Sequence, residues 1–312
     1  MRPTRQTLSL RARLEAVPAP GLALGALVAL NLMWGGSLPA TKLALAASFG
    51  PFSLAAARLL LAAALFASLL RPAALRHVPL ADGLRMAGLG IIGFTAVQVC
   101  QALGTSQTSG ATATVLASTG PLWIALLAPL VLREPLRART LLGLALALAG
   151  VAAIMGWQAG QADALGGSAS GNLIVLASSL AAGLYTVLGK RLAQRYAPLT
   201  FCALSCLGGA VASLPLAAWE MTTGLLWPTP LGWLLLGYLG VLVTFVGFGV
   251  WFWGLRALPA ARAGALMFLQ PVSGLILASL LLNEQPTPSF VLGCSLVLVG
   301  VALAIHHPAT VR

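Results

Sequence analysis

Ten runs of mostly apolar residues follow one another along the chain, at 22–46, 51–70, 82–104, 109–132, 140–157, 172–189, 198–219, 231–255, 262–282 and 288–306. A helix crossing the hydrocarbon core of a bilayer needs about 20 such residues. The pattern therefore predicts an all-α integral membrane protein with ten transmembrane helices. Turn-forming residues mark the breaks: Gly50-Pro51, Arg71-Pro72, and the stretches 224–230 and 286–288. The interval 158–171 is rich in Gly, Ser and Ala and reads as a linker between two halves.

Charge supports this spacing. Of 312 residues, 59% are hydrophobic and 8% charged, against roughly 25% charged in a soluble domain. Lipid must therefore replace water over most of the exterior. A net charge of +12 would suggest nucleic acid in a soluble protein. Here sixteen of the 18 cations fall on one side of a ten-helix topology, in the N-terminal segment 1–20, the even-numbered connections and the tail. Cytoplasmic loops carry the Lys/Arg excess. The expected location is thus a bacterial cytoplasmic (inner) membrane, multi-pass, with both termini cytoplasmic and lipid, not nucleic acid, as the surrounding partner. A cleaved signal peptide fits poorly, because removing the first helix would spoil this alternation.

The chain repeats itself. Shifted by 150 residues, 114–154 aligns without a gap on 264–304, pairing Pro121 with Pro271, Glu134 with Glu284, Gly143 with Gly293 and Gly150 with Gly300. A weaker shift of 148 sets Gly35 on Gly183 and Lys42 on Lys190. Residues 21–157 form the first repeat and 172–306 the second. Five helices per repeat is an odd number, so the second repeat enters the membrane upside down. Inverted repeats are a transporter architecture, because exchanging the conformations of the halves turns an inward-open state outward-open.

Several stretches resemble one family. Trp34-Gly35-Gly36-Ser37 with Lys42, Arg58 within an Ala- and Leu-rich helix, Leu132-Arg133-Glu134-Pro135, and Gln270-Pro271-Val272 before Asn283-Glu284 are similar to the EamA-type drug/metabolite transporter superfamily over roughly 22–305. The resemblance implies two EamA repeats, a cavity between them and, in many members, export of amino acids or related metabolites. Within the superfamily the chain resembles the aromatic amino-acid exporter group. The chain departs from the pattern in lacking an equivalent of Arg58 in the second repeat.

Polar groups inside a membrane are costly and default to functional candidates. Asn31, Trp34 and Lys42 share one face of the first helix. They read as a cavity wall, or as packing for Trp34 and interfacial snorkelling for Lys42. Gln98 and Gln101 form a polar stripe on the third helix, able to hydrogen-bond a polar solute or a neighbouring helix. Ser118 on the fourth helix and Gln270 on the ninth fall in stretches paired by the repeat. Tyr185 is the sixth-helix candidate, and Trp251, with Thr244 and Phe248, forms an aromatic stripe on the eighth. Arg58 lies about 10 Å inside its helix by helix rise. It can receive a substrate carboxylate or lock a helix junction.

Absences also direct the reading. The six acids and three histidines fall outside the middle of every predicted span, and proton coupling generally uses such a group. Uniport or solute exchange is expected. The four cysteines, Cys100, Cys202, Cys206 and Cys294, lack metal-ligand spacing, so neither metal nor cofactor is expected. A lipid-acting membrane enzyme would show clustered acids or histidines at the membrane face, and a sensor would need a soluble domain. The chain is therefore read as a non-enzymatic transporter, probing a small-molecule substrate as a monomer. The leading substrate class is neutral or aromatic amino acids, with a drug or nucleotide sugar as the alternative.

Overall fold

The computed structural model describes residues 16–70, 72–105, 107, 116–158, 168–222, 227–282 and 288–306. Ten helical elements follow the ten apolar runs. We call α1 the pair Pro20–Trp34 and Ser37–Ala46, and α2 Pro51–Leu69. α3 is Leu80–Gly90, Ile91–Ala96 and Val97–Thr105 in one line; α4 is Gly120–Leu132 and α5 Ala138–Gln158. In the second half, α6 is Ala169–Arg195 and α7 Pro198–Met221. α8 joins Pro230–Gly237, Tyr238–Val246 and Gly247–Gly254. α9 joins Ala260–Ala265, Leu266–Phe268 and Leu269–Leu282, and α10 is Pro288–Ile305. Large apolar side chains such as Leu84, Leu130, Leu142, Leu173, Leu234 and Val299 are exposed on the outer surface. That surface suits lipid and would be an aggregation hazard in water.

Helix contacts come in exchangeable sets. α2 packs on α7, α4 on α9 and α5 on α10. The contact of α3 with α7 has its counterpart in α8 with α2, that of α3 with α6 in α8 with α1, and that of α4 with α6 in α9 with α1. Each helix thus meets the partner that a two-fold exchange of the halves would assign. The glycines reveal the sense of the exchange. A Cβ built on Gly143 would come 2.5 Å from the Gly300 carbonyl oxygen, and one on Gly150 2.7 Å from that of Gly293. The repeat register equates Gly143 with Gly293 and Gly150 with Gly300, so the spatial pairs are crossed. α5 and its own repeat copy α10 therefore run antiparallel.

The structure corrects the picture of uninterrupted spans. α1 breaks at Gly35–Gly36, where its backbone comes against α9: a Cβ on Gly35 would lie 2.7 Å from the Gln270 carbonyl oxygen. α3 and α8 each carry a π-helical segment, Ile91–Ala96 and Tyr238–Val246, at equivalent places in the two halves. In α8 the Thr244 hydroxyl donates to the Leu239 carbonyl, five residues back, at 2.8 Å. π segments concentrate at functional sites. α6 runs on to Arg195, so Lys190, Arg191 and Arg195 belong to its last turns and not to a loop.

At the arginine-rich end, buried Asp82 at the start of α3 accepts from Arg85 (2.8 Å), Arg195 (3.2 Å) and the Tyr196 hydroxyl (2.5 Å). This carboxylate staples α3 to the end of α6, and its hydrogen bond pushes the Tyr196 phenol pKa above its ordinary value. At the opposite end, Glu220 of α7 caps α2 by accepting from the backbone N–H groups of Phe52 (3.1 Å) and Ser53 (2.7 Å).

Close backbone contact makes a sharp stability test. A Cβ on Gly90 would lie 1.8 Å from the Ser205 carbonyl oxygen, whereas Gly88, on the same helix, has nothing within 4 Å. Gly90→Ala should lower the melting temperature in detergent, at a cost of about 1–3 kcal/mol from overpacking. Gly88→Ala should leave it unchanged or raise it, by up to about 1 kcal/mol of helix propensity.

Candidate functional site

Two aromatic side chains, one from each half, stand on glycines of the π-helical regions. Trp34 of α1 lies over Gly247 of α8: a Cβ there would be 2.4 Å from the indole nitrogen. That nitrogen donates to the Val243 carbonyl at 2.9 Å. Tyr185 of α6 lies over Gly93 of α3, where a Cβ would be 2.2 Å from the ring, and its hydroxyl bonds that of Ser205 at 3.2 Å. The two sites meet between the halves. Phe94 and Phe248 have ring centroids 4.8 Å apart, Tyr185 lies 5.1 Å from Phe94, and Trp34 lies 5.4 Å from Phe248 and 5.7 Å from Trp251. Edge and tilted geometries of this kind contribute about 0.5–1.5 kcal/mol per pair beyond area burial.

Polar pairs flank the rings, again in duplicate. Gln270 of α9 donates to Asn31 of α1 at 2.9 Å, and Asn31 donates to the Leu27 carbonyl at 2.7 Å. In the other half, Thr119, at the start of α4, bonds Ser179 of α6 at 2.8 Å, and the Trp123 indole donates to Ser179 at 3.1 Å. The 148-residue register sets Asn31 on Ser179. The α1–α9 and α6–α4 contacts therefore each carry a small hydrogen-bonded set. Arg58 of α2 donates from Nε to the Thr244 hydroxyl at 3.2 Å.

Of the expected residues, Asn31, Trp34, Tyr185, Trp251 and Gln270 come together here, the first four buried and Gln270 half-buried. Gln98 and Ser118 are half-buried, while Gln101 is exposed. The Lys42 side chain, Thr114 and Glu284 lie outside the described residues. Where an open cavity is expected, the described side chains pack ring against ring. A surface cleft of about 620 Å³ lies between α3 and α6 at the arginine-rich end, beside Asp82 and Arg191.

Sequence reasoning did not find Thr119, Trp123 and Ser179, and it treated Lys190 as a solvated loop cation. Lys190 is 2% exposed. Its ammonium donates to Glu134 Oε1 and to the Leu258 carbonyl, both at 2.5 Å, while the Ala260 N–H donates to Glu134 Oε2 at 2.6 Å. Arg133, left-handed at φ 57°, ends α4 immediately before Glu134. The cluster ties α4, α6 and the α8–α9 turn together at the arginine-rich end. A signal was present: the 150 shift singled out Glu134 and the 148 shift singled out Lys190, but nothing in one dimension joined them.

The model of the EamA-like transporter family matches this chain twice, over residues 21–156 and 169–305. The chain belongs to this family. It is a membrane transporter of the EamA/drug-metabolite superfamily, with one family unit per five-helix half. "Uncharacterized transporter YetK" of Bacillus subtilis is 30% identical over 66% of this chain and 63% of its own length. A "Probable terminal-alkyne amino-acid exporter" of Streptantibioticus cattleyicolor is 30% identical over 90% of this chain and 92% of its own. A solved crystal structure, 22% identical, covers 91% of this chain and 96% of its own with a TM-score of 0.75, so the two share a fold.

The ion pair of this EamA-like protein yields a stability ranking. Glu134→Gln strands a buried ammonium, which costs on the order of 3 kcal/mol. The double variant Glu134→Gln with Lys190→Met removes both charges and should melt above the single variant. Thermal unfolding of the three proteins in one detergent checks the order.

Proposed function

We propose that this protein moves neutral or aromatic amino acids out of the cytoplasm across a bacterial inner membrane by alternating access, as a uniporter or solute exchanger. The observation that carries the reading is an aromatic junction between the halves, with an amide pair on the α1–α9 contact and a hydroxyl pair on the α4–α6 contact. Rings can take an apolar side chain, and the Asn31–Gln270 and Thr119–Ser179 pairs can exchange partners with a polar solute at little enthalpic loss. The junction is packed in this state and the Glu134–Lys190 cluster closes its arginine-rich end. Passage requires the rings to part and that cluster to open while the opposite end shuts.

Three further points support the reading. Full-length similarity links the chain to a relative named as an amino-acid exporter. The arginine distribution supports a cytoplasmic position for both termini and the Glu134–Lys190 end. The absence of acids and histidines from the middle of the spans in the sequence favours facilitated movement over proton coupling.

Proteoliposome uptake of labelled phenylalanine, leucine and alanine tests this. Saturable uptake should appear for several of them. Trp34→Ala should raise KM about tenfold, the equivalent of 1.4 kcal/mol. Gln98→Ala should reduce uptake. Uphill accumulation driven by an imposed proton gradient would count against uniport, and uptake untouched by either substitution would count against the site.

A further inference from the structure

Arg58 of the junction has no cationic counterpart in the other half, where the repeat register places residues 206–208, Cys-Leu-Gly. It stands on the inward face of α2 among buried Leu54, Ala55 and Ala62, yet remains partly exposed. Its Nε is anchored on the Thr244 hydroxyl. Thr244 follows Val243, whose carbonyl receives the Trp34 indole, so Arg58 and Trp34 hold adjacent residues of the same π segment. Among the described residues the two terminal NH₂ groups of Arg58 find no hydrogen-bond partner. Among the described residues no acid pairs with it. Asp82 and Glu134 are engaged at the arginine-rich end and Glu220 caps α2 at the other. The remaining acids, Glu15, Asp163 and Glu284, fall outside the apolar runs of the sequence.

A structural brace is the competing role, and the protein contains its own control. The equivalent junction of α3 with α7 is built without a cation. Gly90 meets the Ser205 carbonyl, Gly208 meets the Ala87 carbonyl, and the Thr95 hydroxyl donates to the Gly209 carbonyl at 2.9 Å. The fold therefore makes this contact by close packing and hydroxyl hydrogen bonds, without a cation, and the arginine of the α2–α8 contact is not required by the architecture. A guanidinium with an anchored Nε and free terminal donors matches the two oxygens of a carboxylate.

We infer that Arg58 is the carboxylate-recognising residue of the substrate site, its terminal NH₂ groups receiving the carboxylate of the solute while the aromatic junction takes the apolar side chain. This rests on the transport reading above and adds the half of the substrate that Arg58 recognises. It also accounts for an uncompensated cation at mid-membrane depth, since the solute supplies the missing negative charge.

The test uses the full chain in liposomes as wild type, Arg58→Gln and Arg58→Lys. The probes are L-phenylalanine, 3-phenylpropionate and L-phenylalaninamide, read by tryptophan fluorescence for binding and by labelled uptake for transport. Arg58→Gln should weaken phenylalanine and 3-phenylpropionate roughly 10- to 100-fold while the amide changes less than about twofold. Arg58→Lys should recover part of the loss, because it keeps the charge without the fork. Equal losses for acid and amide would make Arg58 a brace, and unchanged binding of the acids would also overturn the proposal. Should Arg58→Gln fail to fold, the acid-to-amide ratio of Arg58→Lys decides by the same criterion. If the wild type binds 3-phenylpropionate through Arg58 but neither binds nor transports phenylalanine, the carboxylate site stands and the amino-acid reading fails. If phenylalanine is transported equally by all three proteins, the reverse holds.

Discussion

Apolar helices in a bilayer gain little by hiding from lipid tails that are as apolar as themselves, so their association depends on how closely backbones can approach. Glycines supply that approach at several of the contacts between the halves of this protein. Gly143 and Gly150 cross against Gly300 and Gly293, Gly90 and Gly208 bring α3 onto α7, and Gly35 brings α1 onto α9. The aromatic junction depends on these contacts together with the hydrogen bonds from Trp34 to Val243 and from Gln270 to Asn31. The crossed pairing of α5 with α10 also makes equivalent helices antiparallel, which turns two similar halves into an exchangeable pair.

The same small residues shape the site. Gly93 and Gly247 leave the floor on which Tyr185 and Trp34 lie, and both belong to or adjoin π-helical segments whose altered pitch exposes backbone carbonyls. Val243 and Leu239 then accept from Trp34 and Thr244. Ring packing and helix geometry thus share one set of residues: a locally rewound helix, a glycine and a ring. Specific charge is added sparingly. Glu134 and Lys190 neutralise each other at one end of the bundle, while Arg58 near its middle has only a hydroxyl anchor.

Helix number, approximate boundaries, lipid as solvent and the two-unit organisation were legible along the chain, because each follows from local apolarity, turn residues and self-similarity. Asn31, Trp34, Tyr185, Trp251 and Gln270 were legible as candidates for a similar reason: a polar or aromatic residue in an apolar helix stands out by itself. Their partners were not. Asn31 and Gln270 are 239 residues apart in sequence, and Trp34 and the Val243 carbonyl 209. Helical periodicity says which residues share a face and nothing about the face opposite. Thr119 and Ser179 are common in any helix and became meaningful through the contact of α4 with α6. Lys190 looked like one more positive-inside cation until α6 proved long enough to carry it beneath Glu134. The π segments, which depend on how two helices fit, left no mark in composition, whereas the membrane-spanning character of every helix was already present in its own residues.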